Sequence, residues 1–485
     1  MKLGGVRKSL VLLLCLALSC GSLTGCRYSS VDEYLEQLGM KEPEYHDEFA
    51  ASDSASTEST YVISQDTSIS DQQFGQTYAE AESSQIPAYD FETILDEVGI
   101  QDSEHADAVF SSSYKNITPD ELDADMKEGR EKVGLNAETI AARKEQQKGL
   151  YAYERLTESG KTLYVEILTI IENLGKNILV STTSDDAIDL VFDYVLADHP
   201  ELFYVDGYHY TNYTIDNVIT KIAFTGNYLY SAQEINRRQT KINNYVNQCL
   251  EGAPSSEDDY FAIKYVYEYL IRNTEYDVDA PDNQNICSVF INGRSVCSGY
   301  SKAMQYILNK LGIQCSLVTG TVTTKKSSGV RHAWNLVLCN NTYYYVDVTW
   351  GDSSYQTGNG ENADSTKLPA VNYDYLCVTT EEILKNHTIS DRISMPECTS
   401  MKDNYYVRED EYFTTTELEL VKDLFERRYA DGSENVIIKC DSRYVYDVLF
   451  ELLVTQRKVF EYMQGDNATV SYTTFADTYT IIFWL

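Results

Sequence analysis

The clearest helical pattern in the chain lies between residues 298 and 311. Its apolar positions fall on one face of a helix: Ala303, Met304, Ile307, Leu308 and Leu311. Gly312 follows, as is common at helix C-termini. Cys297 is therefore predicted at the helix N-terminus, where backbone N–H groups and the helix dipole stabilise a thiolate. The same N–H groups can hold the oxyanion of an acyl intermediate.

Downstream, residues 332–349 alternate in polarity on both sides of two consecutive asparagines, which predicts a β-hairpin. Pairing of Cys339 with Thr342 would place His332 and Asp347 on one face as diagonal neighbours. Their Cβ atoms would then lie roughly 7–8 Å apart or less, within reach of a hydrogen bond between imidazole and carboxylate. A slip of one residue would put them on opposite faces.

These patterns bring together the three groups that thiol catalysis needs. Cys297 is the candidate nucleophile, His332 the candidate base and Asp347 the candidate orienting acid. Taken singly, each has a structural reading, because a cysteine is often a small buried residue and a strand histidine often a core residue. The helix start, the hairpin and the shared face together favour a triad.

At the same residues the sequence resembles a known family. GRSVCSGYSKAMQYILNKLGI and HAWNLVLCNNTYYYVDVTW look like the core of the transglutaminase-like superfamily, which is similar to papain in fold. The resemblance covers about residues 260–390 and extends more faintly upstream. It implies an α+β fold, with a nucleophile helix packed on an antiparallel sheet, and a Cys–His–Asp triad in this chain order. It therefore assigns the three triad roles to Cys297, His332 and Asp347.

The family uses an additional oxyanion donor upstream of the nucleophile. Tyr276, Gln284 and Asn285 are the candidates for it in this chain.

The N-terminus reads as a secretion signal over residues 1–25, with a charged start and an apolar stretch too short to span a membrane. Residues 23–26, Leu-Thr-Gly-Cys, resemble a bacterial lipobox. That resemblance implies a mature chain that begins at a lipid-modified Cys26, anchored on the outer face of a membrane. The alternative is a plain secretion signal in which Cys26 is incidental.

Residues 26–135 are predicted to be an acidic, largely disordered tether. Between Val31 and Asp107 there are 20 acidic residues and one lysine, and apolar residues are sparse. Such a segment buries too little surface to offset the entropy of ordering it.

The folded part is predicted as two domains, 136–395 and 396–485. The first is a transglutaminase-like domain with a helical lead-in, whose first helix breaks at Ser159-Gly160. The second is a small two-layer α/β domain with the order βαβαββ and no visible chemistry. Its predicted strands are 405–407, 435–439, 469–473 and 479–484, and its predicted helices are 414–428 and 442–457.

Composition and histidine placement narrow the function further. The 485 residues carry a net charge of −36, which argues against binding nucleic acid or anionic lipid through electrostatics. No CxxC pair is present to suggest zinc, and the acids at 277, 279 and 282 lack the spacing of an EF-hand, so they are predicted as a solvated loop. No cofactor or metal is expected. His199, His209 and His387 are predicted to be structural.

The sequence thus predicts an extracytoplasmic, lipid-anchored thiol enzyme that acts on amide bonds through a thioester, by hydrolysis or acyl transfer. Its substrate would be a protein or a cell-wall peptide outside the membrane. Two alternatives on the same fold are a non-catalytic surface binding module and a structural envelope lipoprotein.

Overall fold

The computed structural model describes residues 60–64, 124–215, 218–323, 328–352, 368–465, 469–476 and 478–485. The predicted secretion signal and Cys26 lie outside these residues. Among the helices that the structure describes, none combines the length and apolar character needed to cross a membrane.

The helical lead-in surrounds a three-stranded antiparallel sheet. Its helices are α1 (Ala124–Lys132), α2 (Ala137–Gln147), α3 (Tyr151–Glu154), α4 (Glu158–Glu172) and α5 (Asp185–Asp198). Its strands are β2 (Ile178–Val180), β3 (Val205–Ile215) and β4 (Val218–Tyr228), in the order β2-β4-β3. Helix α4 is buried over most of its length and lies against α5.

The helix break predicted at Ser159-Gly160 is wrong. The break follows α2, where Gly149 adopts a positive φ of 90° that most side chains avoid. Gly160 instead lies in the first turn of α4, where its amide N–H donates to the side chain of the N-cap residue Thr157.

The central unit packs helices against a four-stranded antiparallel sheet, so the predicted α+β class is confirmed. Helices α6 (Ala232–Gly252), α7 (Asp259–Asn273) and α8 (Cys297–Lys310) precede all four of its strands. A short parallel pair, β5 (Glu275–Tyr276) and β6 (Arg294–Ser295), lies just before α8, and a short helix, α9 (Thr380–Ile383), lies just before the last strand of the sheet. The sheet has the order β10-β7-β8-β9. Its strands are β7 (Cys315–Val322), β8 (Val330–Cys339), β9 (Thr342–Val346) and β10 (His387–Ile389). Helix α8 packs on β7 and β8.

The predicted hairpin register is confirmed, since Cys339 pairs with Thr342. Asn340 and Asn341 both have positive φ, 50° and 63°, as a two-residue hairpin turn requires. Tyr373–Tyr375 is a 3-10 helix, capped by the Asn372 side chain.

The C-terminal unit is a mixed five-stranded sheet with two helices, α11 (Leu418–Ala430) and α12 (Arg443–Phe450). Its sheet order is β1-β13-β14-β12-β11. The strands are β1 (Thr60–Ser64), β11 (Tyr412–Phe413), β12 (Asn435–Cys440), β13 (Thr469–Phe475) and β14 (Thr480–Trp484). The order βαβαββ holds from β11 onward. The first strand was misplaced, because residues 405–408 form a short helix, α10 (Tyr405–Arg408), capped by the side chain of Asn404.

The two faces of this sheet have different partners. Ile437, Ile482 and Trp484 join the main hydrophobic core, whereas Ile438 and Phe483 belong to a second core under α11 and α12. The C-terminal unit is therefore packed directly on the rest of the protein through one sheet face.

Two described segments lie inside the residues predicted as a tether. Strand β1 pairs antiparallel with β13 along all five of its residues. Helix α1 contributes Arg130, a buried side chain that donates to the Leu179 carbonyl and forms an ion pair of 2.9 Å with Glu166. The folded lead-in thus includes residues before position 136.

Candidate active site

The candidate nucleophile begins helix α8. Cys297 is the first helical residue, and the amides of Gly299 and Tyr300 donate to the carbonyl of Val296, the N-cap residue. Within the described residues, the amides of Cys297 and Ser298 have no acceptor, as expected for the first turn of a helix. They are the backbone donors available to an oxyanion at the sulfur.

Gly299 allows α8 to start where it does. A Cβ at this position would lie 1.9 Å from Ser295 Oγ and 2.5 Å from Ser288 Oγ. These two hydroxyls are hydrogen-bonded to each other at 2.6 Å beneath the first turn. The absence of a side chain at Gly299 therefore allows the first turn of α8 to pack directly against these two hydroxyls.

The candidate base is held between the thiol and a carboxylate. His332 lies on β8 and its Nε2 is 2.7 Å from Asp347 Oδ2. Cys297 lies close enough to the ring to raise the pKa of the imidazole. Because Nε2 is engaged by Asp347, Nδ1 is the ring nitrogen available to the thiol. The rings of Trp334 and Trp350 each have their centroid 6.0 Å from that of the imidazole.

Asp347 is placed by the turn after β9. The β8–β9 ladder ends at Asn335 and Val346, so Asp347 lies one residue beyond the paired strand. Its Oδ1 accepts from the amides of Thr349 and Trp350, at 2.9 and 3.1 Å. The predicted meeting of His332 and Asp347 occurs, with the carboxylate fixed by this turn.

The electrostatics favour a thiolate–imidazolium pair. Burial raises the pKa of the Cys297 thiol, but the charge of His332, its hydrogen bond and one from the Ala333 amide outweigh burial and lower the pKa. Burial lowers the pKa of His332, but Asp347 and Cys297 raise it to about 10. Burial also raises the pKa of Asp347, yet the bonds from its histidine neighbours bring it well below its usual value. A proton is therefore better held by the imidazole than by the sulfur.

A second histidine contacts the same carboxylate. His387 Nε2 lies 3.0 Å from Asp347 Oδ2, and its residue is 2% exposed. The sequence predicts only a structural role for His387. No local pattern marked it, because it reaches the site from β10, beyond β7 in the sheet.

The three candidates for the additional oxyanion donor have other contacts. Asn285 accepts from the amide of Cys287 and so shapes a turn. The side chain of Gln284 bonds its neighbour Asn283, while its carbonyl accepts from Lys302 at 3.0 Å. The ring of Tyr276 has its centroid 6.5 Å from that of Tyr300.

The acids upstream of the nucleophile are not a simple solvated loop, contrary to prediction. Asp277 forms an ion pair with Arg294 at 2.9 Å. Asp282 forms one with Arg238 at 2.7 Å and accepts from the hydroxyl of Tyr230. These contacts stabilise the loop that leads into α8.

One cluster in the described part of the chain has the donors that a metal could use. A nitrogen of His332, a nitrogen of His387 and a carboxylate oxygen of Asp347 all lie within 4.8 Å of one another. A cation there would replace both hydrogen bonds to Asp347 Oδ2. Metal binding and an intact triad are therefore mutually exclusive.

Solved structures resemble parts of this chain. A TGase crystal structure is 17% identical over 29% of this chain and 43% of its own, with a TM-score of 0.21. A candidate cysteine protease from Cytophaga hutchinsonii is 10% identical over 30% and 62%, with a TM-score of 0.21. Menin, in a structure that reveals its binding site for the mixed lineage leukemia protein, is 16% identical over 49% of each chain, with a TM-score of 0.20. The chain spans less than two thirds of each of these structures, and such low scores carry no argument.

No curated protein matches the chain. The family model of the transglutaminase-like superfamily matches residues 244–348, a stretch that contains Cys297, His332 and Asp347. This stretch runs from within α6 through the nucleophile helix and the β8–β9 hairpin. Residues 244–348 of this chain are a transglutaminase-like domain.

Proposed function

We propose that this protein is a thiol enzyme that acts on amide bonds through a thioester at Cys297. The observation that carries the proposal is the buried imidazole of His332, which hydrogen-bonds to Asp347 and lies near enough to the Cys297 thiol for each to shift the pKa of the other. Of the functions considered, only acyl transfer needs a thiol, a base and an orienting acid in this relation.

The reaction follows from these contacts. His332 Nδ1 takes the proton of the thiol, and the sulfur attacks the substrate carbonyl carbon to give a tetrahedral oxyanion. Amide N–H groups at the start of α8 stabilise that oxyanion. The C–N bond then breaks as the imidazolium delivers its proton to the leaving amine, which leaves an acyl-thioester.

The acceptor of the acyl group decides the outcome. Water, deprotonated by His332, gives hydrolysis, and an amine gives transamidation. We favour hydrolysis because water needs no second binding site. The substrate class that we propose is a protein or a cell-wall peptide, met outside the membrane by a chain anchored through Cys26.

Trapping the acyl-enzyme tests this proposal. We expect a brief exposure to 4-nitrophenyl acetate to add one acetyl group at Cys297, detected by intact and peptide mass spectrometry, with release of nitrophenolate. Cys297→Ala should lose both signals while keeping the melting temperature of the wild type within a few degrees. Equal acetylation of Cys297→Ala would refute a thioester at this residue.

One observation favours a non-catalytic binding module instead. Cys297 is 8% exposed and His332 is 7% exposed. If this burial keeps substrates away from the thiol, the triad would be present without catalysing a reaction. No acetylation of the wild type, together with alkylation of Cys297 no faster than that of free cysteine at neutral pH, would favour the binding module.

A further inference from the structure

His387 enters the site from the edge of the sheet. Strand β10 pairs antiparallel with β7, with His387 opposite Val322. His332 lies on β8, on the other side of β7, opposite Gly320. The two imidazole rings have centroids 5.4 Å apart and are tilted by 62° to each other.

Both histidines bind one oxygen of one carboxylate. Asp347 Oδ2 lies 2.7 Å from His332 Nε2 and 3.0 Å from His387 Nε2. Asp347 Oδ1 is already held by two backbone amides, those of Thr349 and Trp350. His387 thus completes a set of four donors that leaves the buried carboxylate no alternative orientation.

The surroundings of His387 are mostly aromatic. Its ring centroid lies 4.9 Å from the centroids of Trp334 and Trp350 and 6.0 Å from that of Tyr375. Its Nδ1 hydrogen-bonds with Oδ1 of Asn386, which accepts, and the backbone carbonyl of Ile383 is a second acceptor beside the ring.

The charged groups that face His387 are Asp347 and His332. Burial lowers the pKa of His387 and the like charge of His332 lowers it too, whereas Asp347 raises it, with a net decrease. Since its partner oxygen on Asp347 is ionised and can only accept, His387 carries a proton on Nε2 and donates it to Oδ2.

The donor on Oδ2 has two effects on the base, His332. It fixes the oxygen that orients the imidazole of His332. It also stabilises the negative charge of the carboxylate, so that Asp347 raises the pKa of His332 less than it otherwise would. A lower pKa of His332 makes the later transfer of that proton to the leaving group easier.

We propose that His387 is a positioning residue, which holds Asp347 Oδ2 against His332 and limits how firmly His332 keeps its proton. This inference rests on the proposed function for its role in turnover, but its electrostatic part is independent of any substrate.

Two substitutions separate positioning from packing. His387→Gln keeps an N–H donor of roughly similar reach, whereas His387→Leu removes the donor and keeps the bulk. In His387→Leu we expect the rate of acetylation by 4-nitrophenyl acetate to fall about 10- to 100-fold. His332 also holds its proton more firmly in this variant, so its pKa rises. The alkaline step of iodoacetamide alkylation at Cys297, which reports loss of the His332 proton, should therefore move up by about half a pH unit. His387→Gln should stay close to wild type in both respects.

A purely structural role predicts a different result. Both variants would then melt at lower temperature, and their alkylation profiles would superimpose on that of wild type, which would overturn the proposal. If wild type is alkylated with a shifted profile but never acetylated, the proposed function fails while the His387 effect on the profile still decides this inference.

A measurement on the unsubstituted protein covers the case in which His387→Leu does not fold. Imidazole ¹⁵N NMR of the wild type, with His387 assigned by its absence from His387→Gln, should show a protonated Nε2 from pH 6 to 8. A bare Nε2 in this range would contradict the proposal, because His387 could not then donate to Asp347.

Discussion

His332 and Asp347 share a hydrogen bond of 2.7 Å, although Asp347 lies beyond the last paired residue of its strand. The hairpin brings the two residues close, and the turn after β9 aims the carboxylate. The hairpin therefore sets the distance between the two residues, and the turn sets the orientation of the carboxylate. Losing the turn would leave the hairpin intact and the base without its orienting group.

Asp347→Asn should damage activity more than stability. Asparagine keeps the size of the side chain and can accept from the amides of Thr349 and Trp350, but it cannot hold the imidazole in the same tautomer. We expect kcat/KM to fall roughly 100- to 10,000-fold with the nitrophenyl ester as substrate.

The matched control for this variant is Asp403→Asn. Asp403 is also a buried acid, and it accepts from Asn340 and Tyr344 on the same hairpin while pairing with Arg408. It should lose stability and retain activity per folded molecule. Equal activity losses in the two variants would show that Asp347 acts through packing alone.

Gly299→Ala should displace the first turn of α8, which carries the nucleophile. The added Cβ would meet Ser295 Oγ at 1.9 Å, so the helix start or the serine pair must shift. Overpacking of this kind costs about 1–3 kcal/mol, and we expect a lower melting temperature together with slower alkylation of Cys297. Ser298→Ala, in the same turn, is the control and should change neither. Wild-type stability and reactivity in Gly299→Ala would show that the close fit is unimportant.

Strand β1 covers the outer edge of β13. An uncovered strand edge is a template for pairing with another chain. Deletion of residues 27–64 should therefore increase self-association, measured by light scattering after size exclusion, without changing alkylation of Cys297. The control deletion, 27–59, retains the strand and should remain monomeric at the same concentration. If both deletions behave alike, β1 does not protect this edge.

Cys26 is expected to anchor the chain. In a bacterial host, Cys26→Ala should move the protein from the membrane fraction to the soluble extracytoplasmic fraction and abolish incorporation of a labelled fatty acid. Cys20→Ala, a cysteine change within the predicted signal, should leave both unchanged. Retention of Cys26→Ala in membranes would point to another means of attachment.

The nucleophile helix and the hairpin were predictable because their signals are local. Apolar spacing located α8, and two asparagines that tolerate positive φ fixed the pairing of Cys339 with Thr342. His387 was missed because its contact with Asp347 depends on the sheet order β10-β7-β8-β9, which no local pattern encodes.

The errors elsewhere have similar causes. At Tyr405–Arg408, aromatic and β-branched residues suggested a strand, but capping by Asn404 and packing against the central unit favour a helix. The pairing of β1 with β13 joins segments hundreds of residues apart. A strand of only five residues within an acidic region has no local pattern that would predict this pairing.

The most direct test of the central claim is the pH dependence of Cys297 alkylation by iodoacetamide, compared between wild type and His332→Gln. If thiol and imidazole form an ion pair, wild type should react rapidly well below the free-cysteine pKa of about 8.5, because His332 keeps its proton up to about pH 10 and holds the sulfur as a thiolate. His332→Gln should lose this reactivity below pH 8.5. It should react only as the pH approaches the pKa of an isolated, buried thiol. Superimposable profiles for the two proteins would contradict the account, since the sulfur would then be indifferent to the ring beside it.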